Sequence, residues 1–224
     1  MKSTEKVKTK NKILRALQLL LILTLVFTAI PAMPGEAAST KSKALSAYKK
    51  KLSASKVTVL PPGKKVTVNY YDTVTYRYSK SAAVKFAIAY IDNDNIPELI
   101  LQDNRYCYGV WTYKSGKVRC VHWGDSLTDP YGYYKKKGIF EDLHYTEGSP
   151  FYKYFYQFRN GKMTNKLTKI LQEQGQPYAE YMIRSRMVSK AVFKKKLKSY
   201  VGNTHVTKIS LRKNTRANRK KYLK

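Results

Sequence analysis

The sequence predicts an α+β protein: an antiparallel, tyrosine-rich sheet of hairpins with an N-terminal helix and one or two C-terminal helices. Three observations lead there. Twenty tyrosines and seven phenylalanines fall largely in alternating runs, the period-two pattern of strands with one buried face. Two dipeptides, Ser115-Gly116 and Asn160-Gly161, stand between such runs where a two-residue hairpin turn belongs. Helical periodicity without a competing strand pattern is confined to residues 42–53 and to the stretch after Ser189.

Along the chain, Lys2, Lys6, Lys8, Lys10, Lys12 and Arg15 precede an apolar run over residues 16–30, followed by Pro31, Pro34 and the small-residue site Gly35-Glu36-Ala37. This is the order of a secretory signal peptide cleaved near Ala37. The apolar run is shorter than the roughly 20 residues that span a bilayer, which disfavours a retained anchor. The expected organisation is a signal peptide over 1–37, an N-terminal helix over 38–55, a β-rich core domain over 56–183 and a basic helical segment over 184–224.

Each element has its own warrant. Ser42 is a candidate N-cap for a helix whose Ala44, Ala47, Tyr48 and Leu52 form one stripe. Val66, Val68, Tyr70 and then Val74, Tyr76, Tyr78 alternate as strands after the break at Pro61-Pro62-Gly63. Residues 81–91 fit either a helix capped by Ser81 or a strand with Phe86, Ile88 and Tyr90 on one face. Two apolar runs within residues 86–101 flank an acidic turn that holds Asp92, Asp94 and Glu98.

The runs 106–113 and 118–123 pair through Lys114-Ser115-Gly116-Lys117. That register sets Cys120 opposite Trp111 and Cys107 opposite Gly124. The two cysteines are then about 13 Å apart at roughly 3.3 Å per residue, too far for a disulfide. Residues 131–145 continue in the same style. Asn160-Gly161 pairs Met163 with Phe158 and Asn165 with Tyr156. Ser189 caps a helix with Val192, Phe193, Leu197 and Val201 as its apolar stripe and Gly202 as its end. Asn214 or Thr215 caps a short basic terminal helix.

Forty-four Lys and Arg against 14 Asp and Glu give a formal charge of +30 at pH 7. A surface of this kind concentrates polyanions. Export makes anionic wall polymers or a membrane surface the expected partners, with nucleic acid binding expected in vitro only. The residues expected to carry this binding are Lys194, Lys195, Lys196, Lys198, Arg212, Lys213, Arg216, Arg219, Lys220 and Lys221. The plain alternative is that the charge serves solubility.

No catalytic residue is assigned. The chain lacks His-Glu-x-x-His, Gly-x-Ser-x-Gly and a phosphate-cradling glycine loop. Cys120 and His122 share an expected strand face, an arrangement that alternation produces by accident. Glu141 and Asp142 are adjacent and point to opposite faces of a strand. Tyr152, Tyr154 and Tyr156 form a row that could stack on sugar rings, with filling of a thin core as the structural alternative.

The segment Phe86-Ala87-Ile88-Ala89-Tyr90-Ile91-Asp92-Asn93-Asp94-Asn95-Ile96-Pro97-Glu98-Leu99 resembles a motif of secreted and surface proteins of Gram-positive bacteria. Its acidic part looks like the Asp-x-Asp-Gly-x-Pro-Glu-Leu loop of FG-GAP and VCBS repeats, present here once. The resemblance implies the strand form for residues 86–90. It also implies a calcium loop with Asp92, Asp94, the Ile96 carbonyl and Glu98 as ligands. Tyr90 stands where that loop has its first acid, so any calcium is bound weakly; otherwise no cofactor is expected. Most proteins of this type have no assigned activity, so the resemblance speaks to location and fold. The expected function is a secreted, non-enzymatic envelope protein that binds anionic wall polymers or glycans. The alternatives are a calcium-stabilised adhesion module or an envelope hydrolase.

Overall fold

A computed structural model describes residues 34–68, 72–146, 149–171 and 180–224. Most of the expected leader and Tyr70 lie outside these residues. The chain divides into two compact units, Met1–Ala38 and Ser39–Lys224, and the strands of the described residues belong to the second.

That second unit is α+β, with mostly antiparallel sheet. Helix α1 (Pro34–Ser53) leads into β1 (Lys56–Val57), β2 (Lys65–Val68), β3 (Asp72–Thr75) and β4 (Ser79–Lys80). Next come β5 (Lys85–Ala89), β6 (Glu98–Gln102), β7 (Tyr108–Lys114) and β8 (Lys117–Gly124). A second series follows: β9 (Thr128–Tyr134), β10 (Ile139–Thr146), β11 (Ser149–Arg159), β12 (Lys162–Ile170), β13 (Tyr181–Ile183) and β14 (Arg186–Val188). Helix α2 (Lys190–Val201), β15 (Val206–Lys208), β16 (Arg212–Lys213) and helix α3 (Arg216–Tyr222) complete the chain.

The strands build a five-stranded sheet ordered β16-β5-β6-β7-β8, a seven-stranded sheet ordered β14-β13-β12-β11-β10-β9-β15, and the two-stranded ladders β1-β4 and β2-β3. Alternation distributes their side chains into layers. Phe86, Leu99, Leu101 and Trp111 turn one face of the smaller sheet toward Ala44, Tyr48 and Leu52 of α1. Ala87, Ala89, Ile100, Tyr108 and Val110 turn its other face toward Tyr133, Phe140 and Phe158 of the larger sheet. The far face of the larger sheet presents Tyr134, Ile139, Phe155 and Leu167 to Phe193 and Val201 of α2. The order is therefore helix, sheet, sheet, helix, with three apolar seams.

Cover on both sides leaves β6 buried at all five positions, Glu98 and Gln102 included, and apolar residues on both faces are why residues 81–91 read ambiguously. Ser81–Ala83 form one 3-10 turn, and β5 is a strand. Both hairpins have the expected turn. Ser115 and Gly116 take φ 51° and 75°, and Asn160 and Gly161 take 53° and 73°. Phe158 pairs with Met163 and Tyr156 with Asn165.

Several details differ from expectation. Helix α1 begins before Ser42, so Ser42 is interior and caps nothing. Val192 is 50 % exposed and leaves the α2 stripe to Phe193, Leu197 and Val201. Ser189 does cap α2, its Oγ accepting from the Val192 N–H. Thr215, not Asn214, caps α3. Residues 184–224 are not only helical, because β14, β15 and β16 add strands to both large sheets.

A β-bulge between Cys120 and His122 pairs Trp111 with Cys120 but Val110 with His122. Tyr108, not Cys107, then opposes Gly124. The extra residue, Val121, moves His122 to the face between the sheets while Cys120 stays on the α1 side. Both cysteines are free.

Candidate functional site

The acidic turn joins β5 to β6. Asn95 takes a left-handed φ of 63°, a conformation that Asn tolerates better than most residues. Asp92 Oδ1 accepts from the Asp94 N–H at 3.2 Å, and Asp94 Oδ1 from the Ile96 N–H at 2.7 Å, which makes two successive Asx turns. Glu98 is turned inward instead. Its Oε2 accepts from the Ile91 N–H at 3.0 Å and its Oε1 from the Thr112 hydroxyl at 3.3 Å. The turn, with Thr112, Lys114, Phe158 and Asn160, lines a cleft of about 370 Å³.

Glu98 spends both oxygens inside the core. Among the described residues, no group of three or more Asp, Glu, His or Cys side chains is arranged to hold a metal.

Burial and the neighbouring Asp94 carboxylate push the Asp92 carboxyl up to about 6. Burial and the Asp92 charge raise Glu98 as well. Folded Asp92 thus keeps its proton to a higher pH than in the unfolded chain, where it is lost near 3.8. Folding takes up a proton between these values, so this residue's contribution to stability falls as pH rises through that window. Asp92→Asn is expected to remove the effect. In melting curves, the difference between variant and wild type should grow in the variant's favour from pH 4 to pH 7; a constant difference would show that Asp92 titrates normally.

The second polar constellation lies between the two large sheets. Asp142 on β10 is buried, and its Oδ2 accepts from the Tyr108 hydroxyl at 2.6 Å and lies 3.1 Å from His122 Nε2. Tyr108 OH and His122 Nε2 are 2.8 Å apart. The His122 ring packs on Tyr156 with centroids 4.2 Å apart. Gln102 Nε2 also donates to Asp129 Oδ1 across the sheets at 3.0 Å. These bonds tie β10 and β9 to β7, β8 and β6, and so set the register of one sheet on the other.

A Cys-His nucleophile is absent from this arrangement. Cys120 Sγ faces the His122 carbonyl at 3.2 Å, and burial pushes its thiol up to about 12, leaving no thiolate. Glu141 and Asp142 do point to opposite faces. Glu141 accepts from Tyr134 OH at 2.9 Å and from Lys153 Nζ at 3.4 Å on the α2 side.

The tyrosine row on β11 divides. Tyr156 packs into the seam between the sheets, so it offers no free ring. Tyr152 and Tyr154 stack on each other with centroids 5.6 Å apart, beside His144, and are half-buried.

The basic residues fall into two groups. Lys194, Lys195, Lys196 and Lys198 are exposed on α2, above the seam of the larger sheet. Lys213, Arg216, Lys220 and Lys221 are exposed around α3, beside the α1 seam. The fold therefore does not join them through a common seam. Arg212 and Arg219 are partly occupied. The Arg212 guanidinium lies over Tyr222 at 4.0 Å, and Arg219 Nη1 donates to Asn214 Oδ1 at 2.8 Å.

The acids behave differently. Glu98, Asp103, Glu141 and Asp142 are buried, and among the acids whose burial is described only Asp72, Asp94 and Glu180 are exposed. Two ion pairs occur among the described residues, Arg105 with Asp103 and Lys153 with Glu141, and His122 Nε2 lies within hydrogen-bond distance of Asp142. Each draws on one of these buried carboxylates.

No family model, curated protein or solved structure matches this chain. No helix of the described residues is long and apolar enough to cross a membrane.

Proposed function

We propose that the protein is a secreted, non-enzymatic component of the cell envelope whose basic exterior holds anionic wall polymers. The carrying observation is the segregation of charge. The fold withdraws four carboxylates into the interior and leaves three of the described acids exposed among lysines and arginines. Among the residues whose burial is described, the outer surface is thus more one-sided than their sequence alone implies. An uncompensated surface of one sign attracts polyanions and repels itself, and both effects are relieved when a polyanion binds.

The burial of His122 and Asp142 between two sheets, and the protonated state of Cys120, support a non-catalytic reading. Secretion rests on the leader-like order of residues 1–37. Purified protein mixed with isolated Gram-positive wall material is expected to cosediment at about 0.01 M salt and to be released toward about 1 M, as the Debye length falls from roughly 30 Å to roughly 3 Å. Absence of cosedimentation at low salt would overturn the proposal.

A further inference from the structure

Within that exterior, one patch carries features that neither solubility nor packing requires. In the β1-β4 ladder, Lys56 and Lys80 are directly opposed and both are exposed. Like charges facing each other across a strand pair destabilise it, and among the described residues neither lysine is ion-paired to a carboxylate. Tyr78, directly before β4, and Tyr106, in the loop before β7, are the two most exposed tyrosines among the described residues, at 44 % and 60 %. Lys56 Nζ lies 4.6 Å from the centroid of the Tyr78 ring.

The loop that presents Tyr106 is rigidly built. Asp103 is fully buried, and its Oδ1 accepts from the N–H groups of Arg105 and Cys107 at 3.0 and 3.2 Å. Its Oδ2 accepts from the Ser79 hydroxyl at 2.6 Å and from Arg105 Nη2 at 2.7 Å. Arg105 Nη2 also reaches the Tyr78 carbonyl at 3.4 Å and Ser79 Oγ at 2.9 Å. One guanidinium therefore ties the Tyr106 loop to the Tyr78 strand, with its side chain still 33 % exposed. Tyr106 itself is held at φ 61°, a conformation a bulky side chain adopts only under compulsion.

A buried carboxylate network thus holds a large, solvent-facing aromatic in a strained conformation, and Arg105 ties its loop to the Tyr78-Ser79 segment, which leads into the strand with the opposed lysines. Exposed tyrosine rings offer flat faces to pyranose rings, and lysines offer charge to acidic substituents.

We infer that Lys56, Tyr78, Lys80, Arg105 and Tyr106 form a binding site for an acidic glycan, with the tyrosines taking the sugar rings and the opposed lysines the anionic groups. The inference rests on the polyanion reading and localises it away from α2 and α3. It also separates ring recognition from charge recognition.

Two probes test it by titration: alginate, an anionic polymer of sugar rings, and polyphosphate, an anionic polymer without them. The Tyr78→Ser, Tyr106→Asn double variant is expected to bind alginate about tenfold more weakly, the loss of two aromatic contacts of about 0.5–1.5 kcal/mol each, and polyphosphate within about twofold of wild type. Asn tolerates the left-handed backbone. Lys56→Gln with Lys80→Gln is expected to weaken both polymers.

If the double variant melts early, Tyr78→Ser alone decides, with an expected loss of at least about threefold on alginate that Tyr78→Trp does not share. Unchanged alginate affinity, or equal losses on both polymers, would overturn the inference and leave the polyanion reading standing. Wild-type protein that binds neither polymer would overturn both.

Discussion

Gly109→Ala is expected to lower the melting temperature by about 10 °C or to prevent folding. Gly109 lies on β7, and a Cβ there would sit 2.0 Å from the Val59 carbonyl oxygen and 2.9 Å from Trp111 Nε1. The first of these is backbone and cannot swing aside. The same carbonyl accepts the Trp111 indole N–H at 2.7 Å, so any movement of Val59 also strands a buried donor. Val59 and Leu60 are themselves in the seam below α1. Overpacking of about 1–3 kcal/mol and an unsatisfied N–H of about 1–3 kcal/mol combine to about 4 kcal/mol. At about 2–4 °C per kcal/mol for a chain of this size, that gives the expected shift. Gly116→Ala has open space but φ 75°, so it should cost only about 1 kcal/mol. Thermal denaturation of the two variants makes the comparison; equal shifts would show that Val59 is free to yield.

Asp103→Ala is expected to cost about 3 kcal/mol. The substitution leaves Arg105 without its carboxylate and the Arg105 and Cys107 N–H groups without their acceptor. Breaking a buried pair costs about 3–5 kcal/mol. The lower end applies because the Arg105 side chain is one-third exposed and can turn to water. Asp103→Asn keeps an acceptor for the backbone but sets an amide against the guanidinium, so it should fall between Ala and wild type. Urea denaturation ranks the three proteins, and an alanine variant within about 0.5 kcal/mol of wild type would show that the loop is held by other contacts.

The local grammar of the chain was legible where one dipeptide decides. Asn160-Gly161 and Ser115-Gly116 carry their turns because only residues tolerant of positive φ fit them, and the pairing of Phe158 with Met163 follows by counting. Counting fails at a bulge. Nothing in Arg119-Cys120-Val121-His122 announces the extra residue, since Val121 suits either face. One unmarked residue therefore moved His122 away from Cys120 and toward Asp142.

The network of Tyr108, His122 and Asp142 was equally hidden, because its members come from three strands with no pattern linking them. Ser42 misled because a good capping residue says nothing when the helix has already begun. Charge could be counted, but not its segregation: Glu98 and Asp94 look alike in the sequence, and only the fold turns one inward. Tyr78 and Tyr106 were two among twenty tyrosines until exposure set them apart.

The Asn214 side chain reaches back across the whole domain. Its amide donates to the Leu52 carbonyl at 2.8 Å, over a separation of 162 residues, and to Ser81 Oγ at 2.9 Å. Beside it, Arg212 and Lys213 pair with Phe86 and Lys85, and Leu223 enters the seam under α1. The first helix and the strands of the acidic turn are therefore sealed by the final turn of the chain. Contacts of such separation form late, because their loop-closure entropy is lost before they contribute. A chain emerging N-terminus first cannot complete its α1 seam until Asn214 and Leu223 are free to reach it.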